Sequence, residues 1–206
     1  MSRRVVLLAL ALGLTLGCGP SVVRLTPEEY ERLPRDYRQE IFDAENDLVI
    51  ARNRLDEATD RKDAAERSLT DLSQKWQRTS QALSTSGQAA KVPKARKVFD
   101  TNVAYTTSII DVAAAAIRRA EADVRVSRAR LYLVRQRELA RIGRATVGSL
   151  KPLEDAVKDL ETKLKATSAE EIELRTRVQT QLNAWKVAED EYAASSGDYD
   201  TGVWGE

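Results

Sequence analysis

Apolar residues recur with a seven-residue period along most of the chain. In the first long segment, one series is apolar or aromatic at every position but one: Ile41, Leu48, Leu55, Lys62, Leu69, Trp76 and Leu83. A second series lies between its members: Ala44, Ala51, Ala58, Ala65, Leu72 and Thr79. Alternating four- and three-residue spacings define the a and d positions of a coiled coil. The pattern predicts a long helix over residues 35–84, with small d residues that let a neighbouring helix approach closely.

Two further segments repeat this pattern after short breaks that contain glycine or proline. The second segment, residues 94–145, has a main apolar seam from Phe99 to Val134 and a second apolar stripe beside it. Such a wide apolar arc is typical of a helix held between two partners. In the third segment, residues 149–194, the seam resumes at Leu150 and continues to Tyr192.

The three segments predict an all-α fold, an elongated antiparallel three-helix coiled-coil bundle with up-down-up topology. Both connections are short for such long helices, so neighbouring helices should be antiparallel. A filled heptad seam predicts no open cleft between the helices. Before the bundle, Thr26 and Pro27 form a helix start, with a capping hydroxyl and a proline at the first helical position, and Pro34 should end that short helix.

Charged residues support a particular pairing of the helices. Residues 94–144 carry 12 basic and 5 acidic side chains, whereas residues 36–83 carry 8 and 11, and residues 151–191 carry 7 and 10. A basic middle helix between two acidic ones predicts ion pairs between helices, with anionic lipid headgroups as the alternative partners of its arginines. Aligning Ile41 with Leu150 places Lys62 level with Glu171, so we expect these two residues to fix the register of the outer helices.

The N-terminus has the organisation of an export signal. Arg3 and Arg4 precede an uncharged apolar run of about 12 residues, too short for a membrane-spanning helix of roughly 20. The run ends in Leu-Thr-Leu-Gly followed by Cys18. This ending resembles the lipobox of bacterial lipoproteins, although Thr15 stands where leucine is more common. The resemblance covers about a tenth of the chain.

The resemblance to lipoproteins implies that residues 1–17 are removed and that Cys18 receives lipid, palmitate included. Residues 18–34 would then form a tether and a short helix. Gly19 stands at the position where an aspartate tends to retain these proteins in the inner membrane. The resemblance therefore implies anchoring in the outer membrane, with the helical part expected to face the periplasm. The competing interpretation is a cytosolic protein with a chance apolar N-terminus.

Composition excludes several kinds of chemistry. The 206 residues include no histidine and one cysteine, which excludes histidine-based catalysis, histidine-ligated zinc and an internal disulfide. The net charge near +1 gives no strong field for nucleic acid. No phosphate-binding glycine loop, EF-hand or nucleophile elbow occurs. We therefore predict no enzyme activity, no cofactor, no metal, no nucleic acid and no small-molecule substrate.

Two segments stand out as candidate partner surfaces. Residues 109–117 are apolar almost all the way around the helix, which marks Ile109, Val112 and Ala116. The alternative is that alanine, the best helix former, simply tolerates exposure. The tail, residues 195–206, contains Tyr199 and Trp204 among glycines and acids and is either a docking peptide or a flexible terminus.

These observations favour a lipid-anchored cell-envelope protein that acts as a coiled-coil scaffold or spacer. Its partner would be another envelope protein or a second copy of the chain, in addition to the membrane reached through Cys18. A chaperone-like holder of unfolded envelope proteins would need an apolar cavity between helices, which filled heptads argue against. A coiled-coil regulator of a cell-wall enzyme is a third interpretation that no residue selects.

Overall fold

The computed structural model of the protein describes residues 25–144, 149–197 and 203. In these parts the chain is helical, and no strand occurs among the residues described. The helices are α1 (Pro27–Arg32), α2 (Arg35–Thr85), α3 (Val92–Arg141) and α4 (Lys151–Ser196), with a 3₁₀ turn (Ala89–Lys91) before α3. The predicted all-α fold of long, mutually packed helices is confirmed. The signal segment, Cys18, Tyr199 and Trp204 lie outside the described residues.

The ends of the long helices follow local sequence signals. These helices contain 51, 50 and 46 residues, which correspond to about 70–75 Å each. Gly87, Gly143 and Gly197 have positive φ angles and lie just beyond the C-terminal ends of α2, α3 and α4. Glycine adopts this left-handed conformation without a steric penalty, which explains why it ends helices. At the start of α4, the Ser149 hydroxyl accepts a hydrogen bond from the Lys151 amide at 3.2 Å.

The short helix α1 begins as predicted. The Thr26 hydroxyl accepts a hydrogen bond from the Glu29 amide, the Glu29 carboxylate accepts one from the Thr26 amide, and Pro27 occupies the first turn. Leu33, directly after α1, is buried against α2 and α3. An ion pair between Glu29 and Arg144 adds a second attachment. Thus α1 is fixed to the end of the molecule where α2 begins and α3 ends.

The buried stripe of α2 follows the predicted d positions. Ala44, Ala51, Ala58, Ala65 and Leu72 are all buried. The a positions behave differently, because only Ile41 and Leu48 are buried and those from Leu55 onward are half-buried. The expectation of a uniformly filled seam is therefore wrong for the middle of α2. Alanine brings α2 close to its neighbour along one line only.

The central helix of the fold is α3, which packs against both α2 and α4, whereas α2 and α4 barely touch each other. Ala113 and Ala115 are both buried although they lie about 200° apart around the helix. This burial on two sides confirms the prediction that the middle helix lies between two partners. Because the outer helices do not close on each other, one side of α3 stays uncovered.

Ion pairs join α3 to its two neighbours, in line with the predicted distribution of charge. The pairs with α2 join Arg135 to Glu45, Arg137 to Glu40 and Asp123 to Arg54. The pairs with α4 join Lys97 to Glu191, Arg118 to Glu170 and Arg130 to Glu161. In both sets the residue numbers rise along one helix as they fall along the other. Much of the arginine series of α3 therefore neutralises acidic residues of α2 and α4.

Candidate binding groove

The uncovered side of α3 forms the floor of a groove of about 590 Å³. Its walls are α2, from Arg54 to Ser68, and α4, through Glu171, Arg175 and Trp185. We call this depression the α3 groove. Its aliphatic lining residues are Ala58, Ala64, Ala65, Ile109, Val112, Ala113 and Ala116. The groove stays open because the short side chains of α2 and α3 do not fill the space between the helices.

The three helical residues predicted as a partner surface all lie in this groove. Ile109, Val112 and Ala116 occupy successive turns of α3 and are half-buried. Their spacings of three and four residues place them on one face of the helix. The structure thus brings the predicted residues together on the groove floor. The expectation that filled heptads leave no cleft is wrong here, because α2 and α4 stay apart.

The rim of the α3 groove is rich in arginine. Glu171, with only 2% of its surface exposed, receives two of these cations: Arg175 Nη2 donates to Oε1 at 2.5 Å, and Arg119 Nε lies 3.0 Å from Oε2. One carboxylate therefore faces two guanidinium groups, which leaves a net positive charge there. Arg61 pairs with Glu57 at 3.4 Å, and Arg54 pairs with Asp123, which does not line the groove.

Lys62 and Glu171, which were predicted to pair, each form ion pairs with other residues. Lys62 forms its ion pair with Glu66, one turn further along α2. Glu171 is paired with Arg119 and Arg175, as described above. The separation of α2 from α4 is the physical reason, because α3 lies nearer to Glu171 and supplies the cation. The relative register of the two outer helices stays a prediction.

Two stacked aromatic pairs lie near the continuation of the groove toward the C-terminal ends of α2 and α4, and Trp185 lines it. Trp185 stacks on Tyr105 with ring centroids 5.4 Å apart, and Trp76 stacks on Phe99 at 5.1 Å. A second depression of about 480 Å³ shares Ser68, Asn102, Thr106 and Trp185 with the α3 groove and extends to Lys75 and Arg78. Together the two depressions follow α2 for about 36 Å, from Arg54 to Arg78.

The groove ends near a cluster that includes part of the predicted flexible tail. Val203 is only 5% exposed and packs in a core cluster with Ala95, Val98, Ala188 and Tyr192. This position differs from the expectation for residues 195–206, as do Ser195 and Ser196, which belong to α4. Val203 is held against α3 and α4 because burial of its aliphatic side chain is favourable. Nearby on α4, partial burial raises the pKa of the Glu189 carboxyl, and the charge of Asp190 acts in the same direction.

Sequence reasoning missed a charged cluster at the opposite end of the molecule. Glu138 is fully buried and accepts hydrogen bonds from Arg137 Nε at 3.1 Å and from Arg141 Nη1 at 2.9 and 3.0 Å. The Arg141 guanidinium also lies 4.4 Å from the centre of the Tyr37 ring. The sequence signal that could have indicated this cluster is a single glutamate, Glu138, within an arginine-rich stretch. The cluster links α2 to α3, because Arg137 also pairs with Glu40 of α2.

Neither a metal-binding cluster nor a membrane-spanning helix is found among the described residues. Within residues 25–144, 149–197 and 203, no group of three cysteine, aspartate or glutamate side chains is arranged to hold a metal ion. In the same ranges, no helix is both long enough and apolar enough to cross a bilayer. What the groove offers is apolar surface bordered by cations.

Comparison of the chain with models of known protein families, with curated proteins and with solved structures found no match.

Proposed function

We propose that the protein is a lipid-anchored component of the bacterial cell envelope and acts as a coiled-coil interaction module, a scaffold or spacer. The observation that carries this proposal is the α3 groove, an apolar surface left open along a long helical body. A binding role rather than a catalytic one also agrees with a sequence that contains no histidine. The partner would be another envelope protein or a second copy of the chain.

The architecture we propose is an elongated antiparallel arrangement of α2, α3 and α4 with up-down-up topology. The ion pairs support it, because their residue numbers run in opposite directions on both sides of α3. Helices of about 70 Å arranged in this way would hold a binding surface at a distance from the membrane. This geometry suits a spacer.

We propose that residues 1–17 are removed and that Cys18 then carries lipid. This lipid would anchor the protein in the outer membrane, with the helical part facing the periplasm. The supporting features are the two arginines, the short apolar run and the Gly-Cys junction. Labelling cells with a palmitate analogue should mark the wild-type protein and should leave Cys18→Ser unlabelled. Membrane fractionation should then place the wild-type protein with the outer membrane. Equal labelling of both proteins would contradict the anchor.

The interaction role can be tested with a photo-crosslinking amino acid placed at Ile109 in the full-length protein in cells. We expect a discrete crosslinked product, because Ile109 lies on the groove floor. The matched control is the same amino acid at Ile172, an apolar position on α4 that is exposed outside the groove. Absence of any product at Ile109, or an identical set of products at both positions, would contradict a binding role for the groove.

The same groove favours a second candidate, a holder of unfolded envelope proteins. The open apolar floor supplies the surface that such a holder needs. The purified protein should then slow the aggregation of a diluted outer-membrane protein, and Ile109→Glu should reduce this effect. No effect on aggregation, together with a discrete product at Ile109 in cells, would leave the interaction module as the function.

A further inference from the structure

We infer that the α3 groove of one molecule receives the outer face of α2 from a second copy of the same chain. That outer face consists of Phe42, Val49 and Ile50, and we call it the Phe42 face. The inference rests on the proposed function of the groove as an interaction surface and names its occupant. The two surfaces are different, so the contact is head-to-tail, and each added copy presents the same two surfaces again.

The Phe42 face is an exposed apolar surface on a helix that is otherwise polar on its outer side. Phe42 is 57% exposed and Val49 is 51% exposed, and Ile50 is also exposed. Spacings of seven and eight residues place all three on one side of α2. Their neighbours Ile41 and Leu48 point into the core, so the heptad seam does not account for this outer face. Large apolar side chains clustered in this way mark interaction surfaces.

The two surfaces agree in length and shape. From Phe42 to Ile50 the helix rises about 12 Å, and from Ile109 to Ala116 it rises about 10.5 Å. The Phe42 face is convex, because it lies on the outside of a single helix, and the α3 groove is concave, because α2 and α4 stand on both sides of it. The alanine residues of the floor leave room for a side chain as large as phenylalanine.

One flank of the Phe42 face is acidic, and the rim of the α3 groove is basic. On α2, Asp36, Asp43 and Asp47 lie along one flank of the Phe42 face, and none of them forms an ion pair among the described residues. At the groove, Arg119 and Arg175 share one carboxylate, and its continuation is lined by Lys75 and Arg78 against Asp71, so both parts keep a net positive charge. Such complementarity favours one orientation and speeds encounter.

A head-to-tail contact of this kind does not close on itself unless the rotation between copies forms a ring. Repetition of one such contact builds a chain of molecules. For a protein held at a membrane by its N-terminus, this gives an extended row of helical bodies. The inference therefore gives the proposed scaffold a specific mode of assembly.

The test uses two full-length copies with different epitope tags, expressed together in cells. The first copy carries a photo-crosslinking amino acid at Val49. We expect a product that contains both tags, with crosslinked peptides from residues 102–119 of the second copy. Ile109→Glu in the second copy should reduce the yield at least tenfold. The same substitution in the first copy should leave the yield unchanged, because that copy contributes its Phe42 face.

Three control variants sharpen this test. Ile172→Glu in the second copy introduces the same charge outside the groove and should retain the product. Ala116→Glu in the second copy should act like Ile109→Glu, and circular dichroism of both purified groove variants should show unchanged helix content. Asp43→Lys with Asp47→Lys in the first copy should lower the yield several-fold, because it places like charges opposite the arginines.

Several results would overturn the inference. Products with other proteins only would assign the Phe42 face to a different partner. Loss of the product from Ile109→Glu in either copy alike would show a symmetric contact, and no dependence on either groove variant would place the contact elsewhere. None of these results bears on palmitate labelling at Cys18 or on products formed from Ile109, so the proposed function is judged separately.

Discussion

The end of the molecule where α2 begins differs from its middle, although the same heptad pattern runs through both. At that end, Ile41, Leu48 and Leu131 are buried in one cluster with Leu33, and Tyr30 of α1 packs against this cluster. In the middle, the buried positions of α2 are alanines, and Leu55 and Leu69 are half-buried. The a positions of α2 are therefore buried only at the end where α1 and Leu33 add to the core. At the end where α2 begins, α1 adds to the core. In the middle of the molecule, no further helix lies over α3, and the α3 groove stays open.

The largest difference between these regions should appear when an aliphatic side chain is removed from each. Ile41→Ala should lower the free energy of unfolding by about 3 kcal/mol, because a residue that is 1% exposed leaves a cavity. Leu55→Ala should cost about 1 kcal/mol, since its side chain is half-buried and alanine favours the helix. Urea unfolding followed by circular dichroism measures both values. Equal losses would show that the middle is as closely packed as the end.

A second comparison concerns the two buried glutamates, each paired with two arginines. Glu138→Gln should cost about 2 kcal/mol, since its carboxylate is buried and both partners are only about 38% exposed. Glu171→Gln should cost about 1 kcal/mol, because Arg119 and Arg175 border the open groove and water can take over their solvation. Chemical unfolding of both variants tests this order, and a larger loss for Glu171→Gln would reverse the comparison.

A third comparison adds volume instead of removing it, with alanine replaced by leucine at two positions. Ala51→Leu should lower the free energy of unfolding by about 1 kcal/mol, because this alanine of α2 is 1% exposed and does not line the groove. Ala116→Leu should be within about 0.5 kcal/mol of the wild type, because its side chain extends over the groove floor. Thermal unfolding of the two variants is sufficient to compare them. A loss at Ala116 equal to that at Ala51 would mean that the groove has no room.

The smallest effect concerns pH and the C-terminal part of α4. Partial burial raises the pKa of Glu189 above its ordinary value of 4.5, so the folded protein binds this proton more tightly than the unfolded chain does. The ionised carboxylate therefore destabilises the fold at neutral pH, and this penalty disappears as the pH falls through the raised pKa. Glu189→Gln should stabilise the protein by a few tenths of a kcal/mol at pH 7, a small effect because the side chain is largely solvated.

Below the ordinary carboxyl pKa, the stabilisation by Glu189→Gln should vanish, because the proton is then bound in the folded and unfolded states alike. Urea midpoints at pH 7 and at pH 4 measure the effect. Glu173→Gln, at an exposed position of α4, is the matched control for loss of one negative charge. A gain from Glu189→Gln that persists at pH 4 would assign its origin to something other than ionisation.

Local features of the fold follow closely from the sequence. The d-position alanines of α2 are buried at the predicted interval, and the capping box at Thr26 forms as expected. The basic character of α3 predicted its ion pairs with both neighbours. These features depend on residues a few positions apart or on the composition of a whole helix, and both can be determined without knowing which helices touch.

The candidate site was predictable only in part. Ile109, Val112 and Ala116 stand out because their segment is apolar around the helix, and they do share the groove floor. The groove itself, the arginine partners of Glu171 and the cluster around Glu138 were not predicted. The ion pairs depend on which arginine lies nearest to each glutamate, and the groove depends on the distance between α2 and α4. The heptad register alone specifies neither of these distances.

The sequence by itself determined that the chain forms long helices, where the breaks between them lie to within a few residues, and that the middle helix lies between two partners. The reason is that period, caps and helix-breaking residues act locally. The tertiary structure decided that α2 and α4 stay apart, that α1 covers one end only and that an apolar groove opens along α3. Those outcomes depend on the packing of side chains that are more than a hundred positions apart in the sequence. The heptad pattern is equally compatible with α2 and α4 in contact and with α2 and α4 apart.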